Sequence, residues 1–347
     1  MILIAVDKFK GSLTADEAAE AIADGLFAAG IREEVTICPM ADGGEGTPDT
    51  VFGYPVVRSC DHLGWDNADL ACKPILDRSS YALGEYLMDE YGPERQTDGA
   101  AAPAINESPQ GWIAIGGTIT SDGGAGMLQA LGMRFYDAEG REIVTHITPR
   151  KFADVSKVEM SREDRAYWRK RLRALSDVEA SLTGPGLSAL DFAAQKGARP
   201  RDIETIRRGL KWFASLSAPA THSPIDGAGG GIGFAIASVL GCPYSNGAET
   251  ILESKNIEWR EFTLVITGEG RIDRQTGGGK VVDAVRRAAE SHGVRCVAVG
   301  GYVIPELRSR NVFTTISNPS EYNSSLAAQR LSRCIAANIK PYILKLQ

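Results

Sequence analysis

Apolar and polar positions fall into blocks from the first residues of the chain. Ile2–Val6 is an uninterrupted apolar run closed by Asp7, the pattern of a strand buried on both faces. A basic loop with Lys8, Lys10, Gly11 and Ser12 follows. Thr14, with Glu17 three residues on, predicts a capped helix through Ala29 with Gly30 as its stop. Residues 35–40 predict a second strand, which opens into the glycine-rich acidic loop ADGGEGT at 41–47, and Pro48 suits the first turn of a further helix. Strand, helix, strand at this spacing predicts a parallel pair.

The C-terminal part repeats that grammar. Residues 264–266 predict a buried strand that breaks at Thr267 and Gly268 into a charged loop with Glu269, Arg271 and Asp273. Three glycines and Lys280 follow, then an amphipathic helix over 280–292 that stops at Gly293. Strands over 295–299 and 312–317, a short helix near 304–309 and a final helix over about 324–346 complete the pattern. The middle reads differently, with longer helices, a turn at Asp137–Gly140, a strand over 170–178 and several glycine-rich loops. The expected fold class is therefore α/β: a Rossmann-like doubly wound parallel-sheet domain formed by both chain ends, 1–66 and 262–347, with a second α/β domain, 67–261, inserted.

Composition narrows the function without naming it. The 347 residues are 43% hydrophobic and 24% charged, ample for a core, with a net charge of −6 that argues against a nucleic-acid or membrane-surface partner. The stretch 162–173 is basic around Tyr167 and Trp168, but in an acidic chain it reads as a solvated face. Six scattered cysteines without a C-x-x-C pair fit reduced thiols, and no apolar run approaches bilayer length, so cytoplasm is the expected compartment.

The chemistry concentrates where the strands of the split domain end. Asp7, Asp42 and the Glu269/Asp273 loop would share one edge of a parallel sheet, together with Lys8, Lys10, Arg271 and Lys280. Phosphoryl transfer needs such a mixture: cations offset phosphate charge, carboxylates hold Mg²⁺, and one carboxylate accepts the substrate's proton. The loop 264–280 matches neither a Walker loop nor a dinucleotide fingerprint, because Arg274 and Val281 occupy two key Walker positions and Asp273 stands where a third glycine belongs. The four histidines form no recognisable nucleophile–base pattern. Two further glycine-rich loops, GGTITSDGGAG at 116–126 and GAGGGIG at 227–233, precede helical segments. They either let backbone N–H groups reach an anion or permit close packing.

Six segments, in order, resemble signatures of the bacterial glycerate kinase family: DKFKGSLTADEAAEAIADG, MADGGEGT, GGTITSDGGAGMLQALGMRFYDAEG, AQKGA, GAGGGIGFA and LVITGEGRIDRQTGGGK. The resemblance implies phosphoryl transfer from ATP, with Mg²⁺, to a hydroxyl of D-glycerate or a close relative, 2-phosphoglycerate being the favoured product. By matching position it places Asp42, Asp273, Lys8 and Arg271 in the family's charged loops, and on chemical grounds these four are the catalytic candidates, with Asp42 or Asp273 as the base. Lys10, Ser12, Gly43, Gly44, Ser121, Asp122, Glu269 and Lys280 fall in substrate- or phosphate-binding positions, and Asp7 and Asp177 are the metal candidates. No nucleic acid or membrane is expected as a partner, and a homodimer is the candidate assembly. The chain lacks the family's IEMA-like stretch after Leu76, and the other departures also concentrate in the inserted domain. The alternative is thus a non-catalytic regulator that binds a nucleotide or small acid.

Overall fold

The computed structural model describes residues 1–93, 111–176, 178–217, 222–274, 276–277, 279–321 and 323–343. From the N-terminus, β1 (Ile2–Val6) and β2 (Val35–Ile37) are followed by β3 (Thr50–Val51), β4 (Tyr54–Arg58), β5 (Gly111–Ala114) and β6 (Arg134–Tyr136). Then come β7 (Lys157–Glu159), β8 (Leu172–Leu175), β9 (Tyr244–Ser245), β10 (Leu264–Ile272), β11 (Arg295–Val303) and β12 (Val312–Ile316). The chain divides into two compact units, residues 1–48 with 246–347 and residues 49–245. Among the described residues no helix is long and apolar enough to cross a membrane.

In the first unit the strand order is β12-β11-β10-β1-β2, with every pair parallel. From β1 the chain crosses to β2 on one side, and from β10 it steps to β11 on the other, so the order reverses between β1 and β10. That reversal opens the crevice where ligands bind in doubly wound sheets. Successive residues face opposite sides of the sheet. Ile2, Ile4, Val6, Leu264 and Ile266 bury one face against Ala18, Ile22 and Leu26 of helix Ala15–Ala28 and against Leu331 and Ile335 of helix Ala327–Asn338. Ile272, Ala298 and Val303 form a separate cluster with Val282 of helix Val281–Ser291. The Thr14 hydroxyl accepts the Glu17 N–H at 3.2 Å while the Glu17 carboxylate accepts the Thr14 N–H at 2.8 Å, so the expected capping box is formed.

Four local expectations change. β10 does not break at Thr267 and Gly268 but runs on to Ile272, because Arg271 and Ile272 remain paired with Tyr302 and Val303 of a β11 longer than expected. β2 ends early, although the Cys38 and Met40 N–H groups still donate to the Ile4 and Val6 carbonyls. No helix follows Pro48; it closes the first unit's N-terminal segment and β3 begins at Thr50. The last helix is broken into Ala327–Asn338 and Lys340–Ile343, preceded by a single tight turn.

The second unit holds a sheet in the order β3-β4-β5-β8-β9, parallel except for the β3–β4 hairpin, and a separate β6–β7 ribbon. The sequence pattern puts the domain junctions at 66/67 and 261/262; the structure puts them elsewhere. β4 pairs with β5, which places residues 49–66 in the second unit, while helix Gly247–Ser254 groups with the first. The turn at Asp137–Gly140 is present, closed by the bridge between Tyr136 and Glu142. The basic stretch begins as helix Arg162–Arg171, and its strand starts only at Leu172. Trp168 is buried, and its indole N–H donates to the Leu131 carbonyl, so this aromatic belongs to the core.

Candidate active site

β1, β10 and the loop after β2 gather carboxylates at the C-terminal edge of the first sheet, beside the reversal in strand order. The register pairs Val6 with Gly268, so Asp7 and Glu269 leave neighbouring strands side by side. Asp7 is buried and accepts the Lys8 N–H at 2.7 Å. Burial above all, then the negative charge of Asp42, pushes its carboxyl up to about 8 against the opposing pull of Lys8. Burial also raises Glu269 to about 7, with Asp273 and Asp42 adding to the rise and the Thr276 hydroxyl and Lys280 opposing it. The Glu269 Oε1 is buried with no hydrogen-bond partner among the described residues. Such an oxygen is costly until a cation or a donor completes it.

The loop after β2 is shaped to present Asp42. Its Oδ1 accepts the Gly44 N–H at 3.1 Å, Gly43 adopts a φ of 91°, and Thr47 closes the turn on the Gly44 carbonyl at 2.6 Å. The Lys8 ammonium donates to the Glu45 carbonyl at 2.5 Å and lies 4.0 Å from the carboxylates of both Asp42 and Glu45. A Cβ at Gly247 would come 2.4 Å from the Asp42 carbonyl, so the start of helix Gly247–Ser254 presses directly on this loop. Asn246 caps that helix, and its side-chain amide donates to the Gly279 carbonyl at 3.0 Å, tying the loop before helix Val281–Ser291 into the same edge.

Beyond β10, Arg271 pairs with Asp273 at 3.0 Å and lies over the Tyr302 ring, while the Asp273 N–H donates to the Thr276 hydroxyl. Lys280 stands at the N-terminus of helix Val281–Ser291. Lys10 is exposed, and the Ser12 hydroxyl donates to the Phe9 carbonyl at 2.8 Å. A Cβ at Gly270 would approach the Lys10 backbone nitrogen to 2.9 Å, so only glycine lets the first loop lie against β10. Lys10, Ser12, Tyr302, Thr315 and Arg330 line a small cavity beside this contact. The structure thus brings together Asp7, Lys8, Asp42, Gly43, Gly44, Glu269, Arg271, Asp273 and Lys280, with Lys10 and Ser12 alongside.

Ser121 and Asp122 belong to the second unit, in the loop between β5 and helix Ala125–Ala130. Asp122 is wholly buried, and its carboxylate accepts from the Ser80 N–H (2.7 Å) and hydroxyl (2.8 Å) and from the Gly124 and Gly126 N–H groups. Burial raises its pKa and those hydrogen bonds resist the rise. Against this loop lies the second glycine-rich segment. A Cβ at Gly231 would come 2.4 Å from the Gly123 Cα, and the Gly123 N–H donates to the Gly230 carbonyl, so these glycines serve close backbone packing. Asp177 lies outside the described residues.

Several residues here carry no signal in the sequence alone. Thr276 and Asn246 hold the acidic edge, and Ser80 anchors Asp122. Lys196, inside the AQKGA segment, donates to the Thr120 carbonyl at 2.7 Å. The segment itself was visible as a motif, but nothing in one sequence tells a half-buried lysine from a solvated one.

Three kinds of comparison bear on this chain. The model of the glycerate kinase family matches residues 2–62 and 110–339. A protein of Bacillus subtilis strain 168 described as glycerate kinase is 32% identical over 330 residues, covering 87% of this chain and 85% of that protein. One of Escherichia coli K12 described as glycerate 2-kinase is 30% identical over 326 residues, covering 86% and 84%. Among solved structures, a putative glycerate kinase 2 from Salmonella typhimurium LT2 superposes with a TM-score of 0.68 at 26% identity, covering 98% of each chain.

Proposed function

Because the chain belongs to the glycerate kinase family, we propose that it transfers the γ-phosphoryl group of ATP to a hydroxyl of D-glycerate or a closely related small hydroxy acid. The relative described as a 2-kinase supports 2-phosphoglycerate as the product. One observation carries the reading: at the reversal in strand order, the carboxylates of Asp7, Asp42, Glu269 and Asp273 are interleaved with Lys8, Arg271 and Lys280. The acceptor hydroxyl attacks the γ-phosphorus, the bond to the ADP oxygen breaks, and the hydroxyl proton passes to Asp42 or Asp273. Lys8, Lys10 and Arg271 offset the charge spread over the equatorial oxygens.

Among the described residues no three Asp, Glu, His or Cys side chains form a group that could hold a metal by themselves. Mg²⁺ is usually held by one or two carboxylates together with substrate phosphates, and the donors here are all hard oxygens. The unpaired Oε1 of Glu269 beside buried Asp7 suits it, so these two residues would hold it. When bound, it neutralises phosphate charge. None of the six cysteines is in a disulfide, which fits work in a reducing cytoplasm.

The test is ³¹P NMR of the protein with MgATP and D-glycerate beside a control without acceptor. The expected result is glycerate-dependent ADP and a phosphomonoester peak at the 2-position. Asp42→Asn and Lys8→Ala should each lower kcat on the order of 10²-fold or more. Near-normal turnover in either variant removes that residue from its role. No product with any small hydroxy acid, while ATP still binds, would make the chain a non-catalytic binder.

A further inference from the structure

Beside its acidic edge the first unit holds a cavity of the opposite charge. It lies where β10, β11 and β12 end, against the first loop and the start of helix Ala327–Asn338, and its whole lining belongs to that unit. Lys10 and Arg330 line it. No Asp or Glu does, although the chain carries a net charge of −6. Among the described residues neither cation forms an ion pair, and the Arg330 guanidinium donates through one nitrogen to the Glu321 carbonyl. The Ser12 and Thr315 hydroxyls are spent on the Phe9 and Gly301 carbonyls at 2.8 and 2.7 Å. The Asn323 side-chain oxygen accepts from Ser325, which leaves its amide N–H groups for the cavity. The donors that remain are thus two cations and one amide, the set that binds an oxyanion.

We propose that Lys10, Arg330 and the Asn323 amide hold a phosphate group of a nucleotide, one of those that stay with the nucleoside diphosphate after transfer. That the nucleotide is the ATP of the reaction rests on the kinase reading above. Two cations without a carboxylate partner select a group with more than one negative charge, and an arginine matches phosphate oxygens in pairs. The cavity volume of about 60 Å³ suits a phosphate group and not a base with its sugar, since a single water needs about 10–15 Å³. Lys10 stands three positions after Asp7 on the first loop, so a polyphosphate chain held here continues along that loop toward the acidic edge. The carboxylate of a small acid shares the oxyanion chemistry but brings only one charge.

The site has an ionic signature. Lys10 is exposed, so its attraction for phosphate is open to screening by salt. Affinity for ADP should therefore fall as salt is added, whereas affinity for adenosine, which has no phosphate, should not.

Titration calorimetry of the whole chain with ADP, and separately with adenosine, reads the site without turnover. Arg330→Met should weaken ADP roughly tenfold or more, as loss of a charge-assisted contact does, and leave adenosine unchanged. Arg330→Lys, which keeps the charge, should retain more affinity for ADP. In turnover assays Arg330→Met should raise the KM for MgATP by a similar factor and leave the KM for D-glycerate as it was. Lys10→Met should also weaken ADP, and it carries the test if thermal melts show that Arg330→Met is unfolded. ADP affinity equal to wild type in both variants, or no ADP binding by the wild-type protein, overturns the site; glycerate phosphorylation with an unchanged KM for MgATP then leaves the kinase reading standing. Arg330-dependent ADP binding without any glycerate phosphorylation upholds the site and defeats the kinase reading. A raised KM for D-glycerate in Arg330→Met, with ADP affinity unchanged, gives the cavity to the acid's carboxylate and overturns the phosphate assignment.

Discussion

At Lys196 the folded chain holds an amine at about 7 that titrates at 10.5 in an open chain. Between those values the unfolded chain carries a proton that the folded one does not. Stability therefore rises with pH across that interval: the cost of burying the ammonium is full below about 7 and has vanished above 10.5. Lys196→Met should accordingly melt later than wild type at pH 6.5, by a few degrees for a chain of this size, with the difference shrinking steadily toward pH 10. A difference independent of pH would mean that the amine is solvated. The acidic residues of the candidate site could be located from the sequence, since Asp7, Asp42 and Glu269 follow apolar runs. Their altered acidity could not, because it arises from side chains that come together only when β1 and β10 pair. Nor could the commitment of Asp122 to Ser80 be seen, for a Ser and an Asp 42 residues apart carry no local signature.

Among the elements, helix Ala15–Ala28 shows what local sequence can and cannot specify. Its start is written in Thr14 and Glu17, and removing the cap with Thr14→Ala should cost about 1 kcal/mol of stability, measurable by urea unfolding. Its packing is not written there. Gly25 lies so close to helix Ala327–Asn338 that a Cβ would meet the Ser332 carbonyl at 2.5 Å and the Ile335 side chain at 2.8 Å. Gly25→Val should therefore force the helices apart and cost roughly 1–3 kcal/mol, although valine's helix propensity is no worse than glycine's. Unfolding midpoints equal to wild type would show that the contact gives way without strain. β10 teaches the same lesson in reverse. Thr267 and Gly268 look like a strand end in isolation, yet pairing on both sides carries the strand through them, and a Cβ at Gly268 would come 2.4 Å from the Val299 carbonyl. A glycine demanded by a neighbouring strand is indistinguishable in sequence from one demanded by a turn.

For the whole molecule, the first unit is closed only when the C-terminal third arrives. β1 is buried on both faces and bonded on one side to β10, 262 positions later along the register that pairs Ile2 with Leu264. A fragment of residues 1–48 should thus be unfolded by far-UV circular dichroism, whereas 49–245, with its own sheet and core, should fold alone. Stable structure in the first fragment would refute the dependence on β10. The sequence by itself determined the alternation of strands and helices, the parallel α/β class, the contribution of both chain ends to one sheet and the charged loops at its edge. Each of these rests on periodicity, caps and residue types that act over a few neighbouring positions. Tertiary structure alone decided where the units divide, how far β10 and β11 extend, which glycines serve packing, and that the Lys196 ammonium comes to rest on the Thr120 carbonyl. Those outcomes depend on burial and on partners distant in the chain, and their energies exist only once the segments have come together.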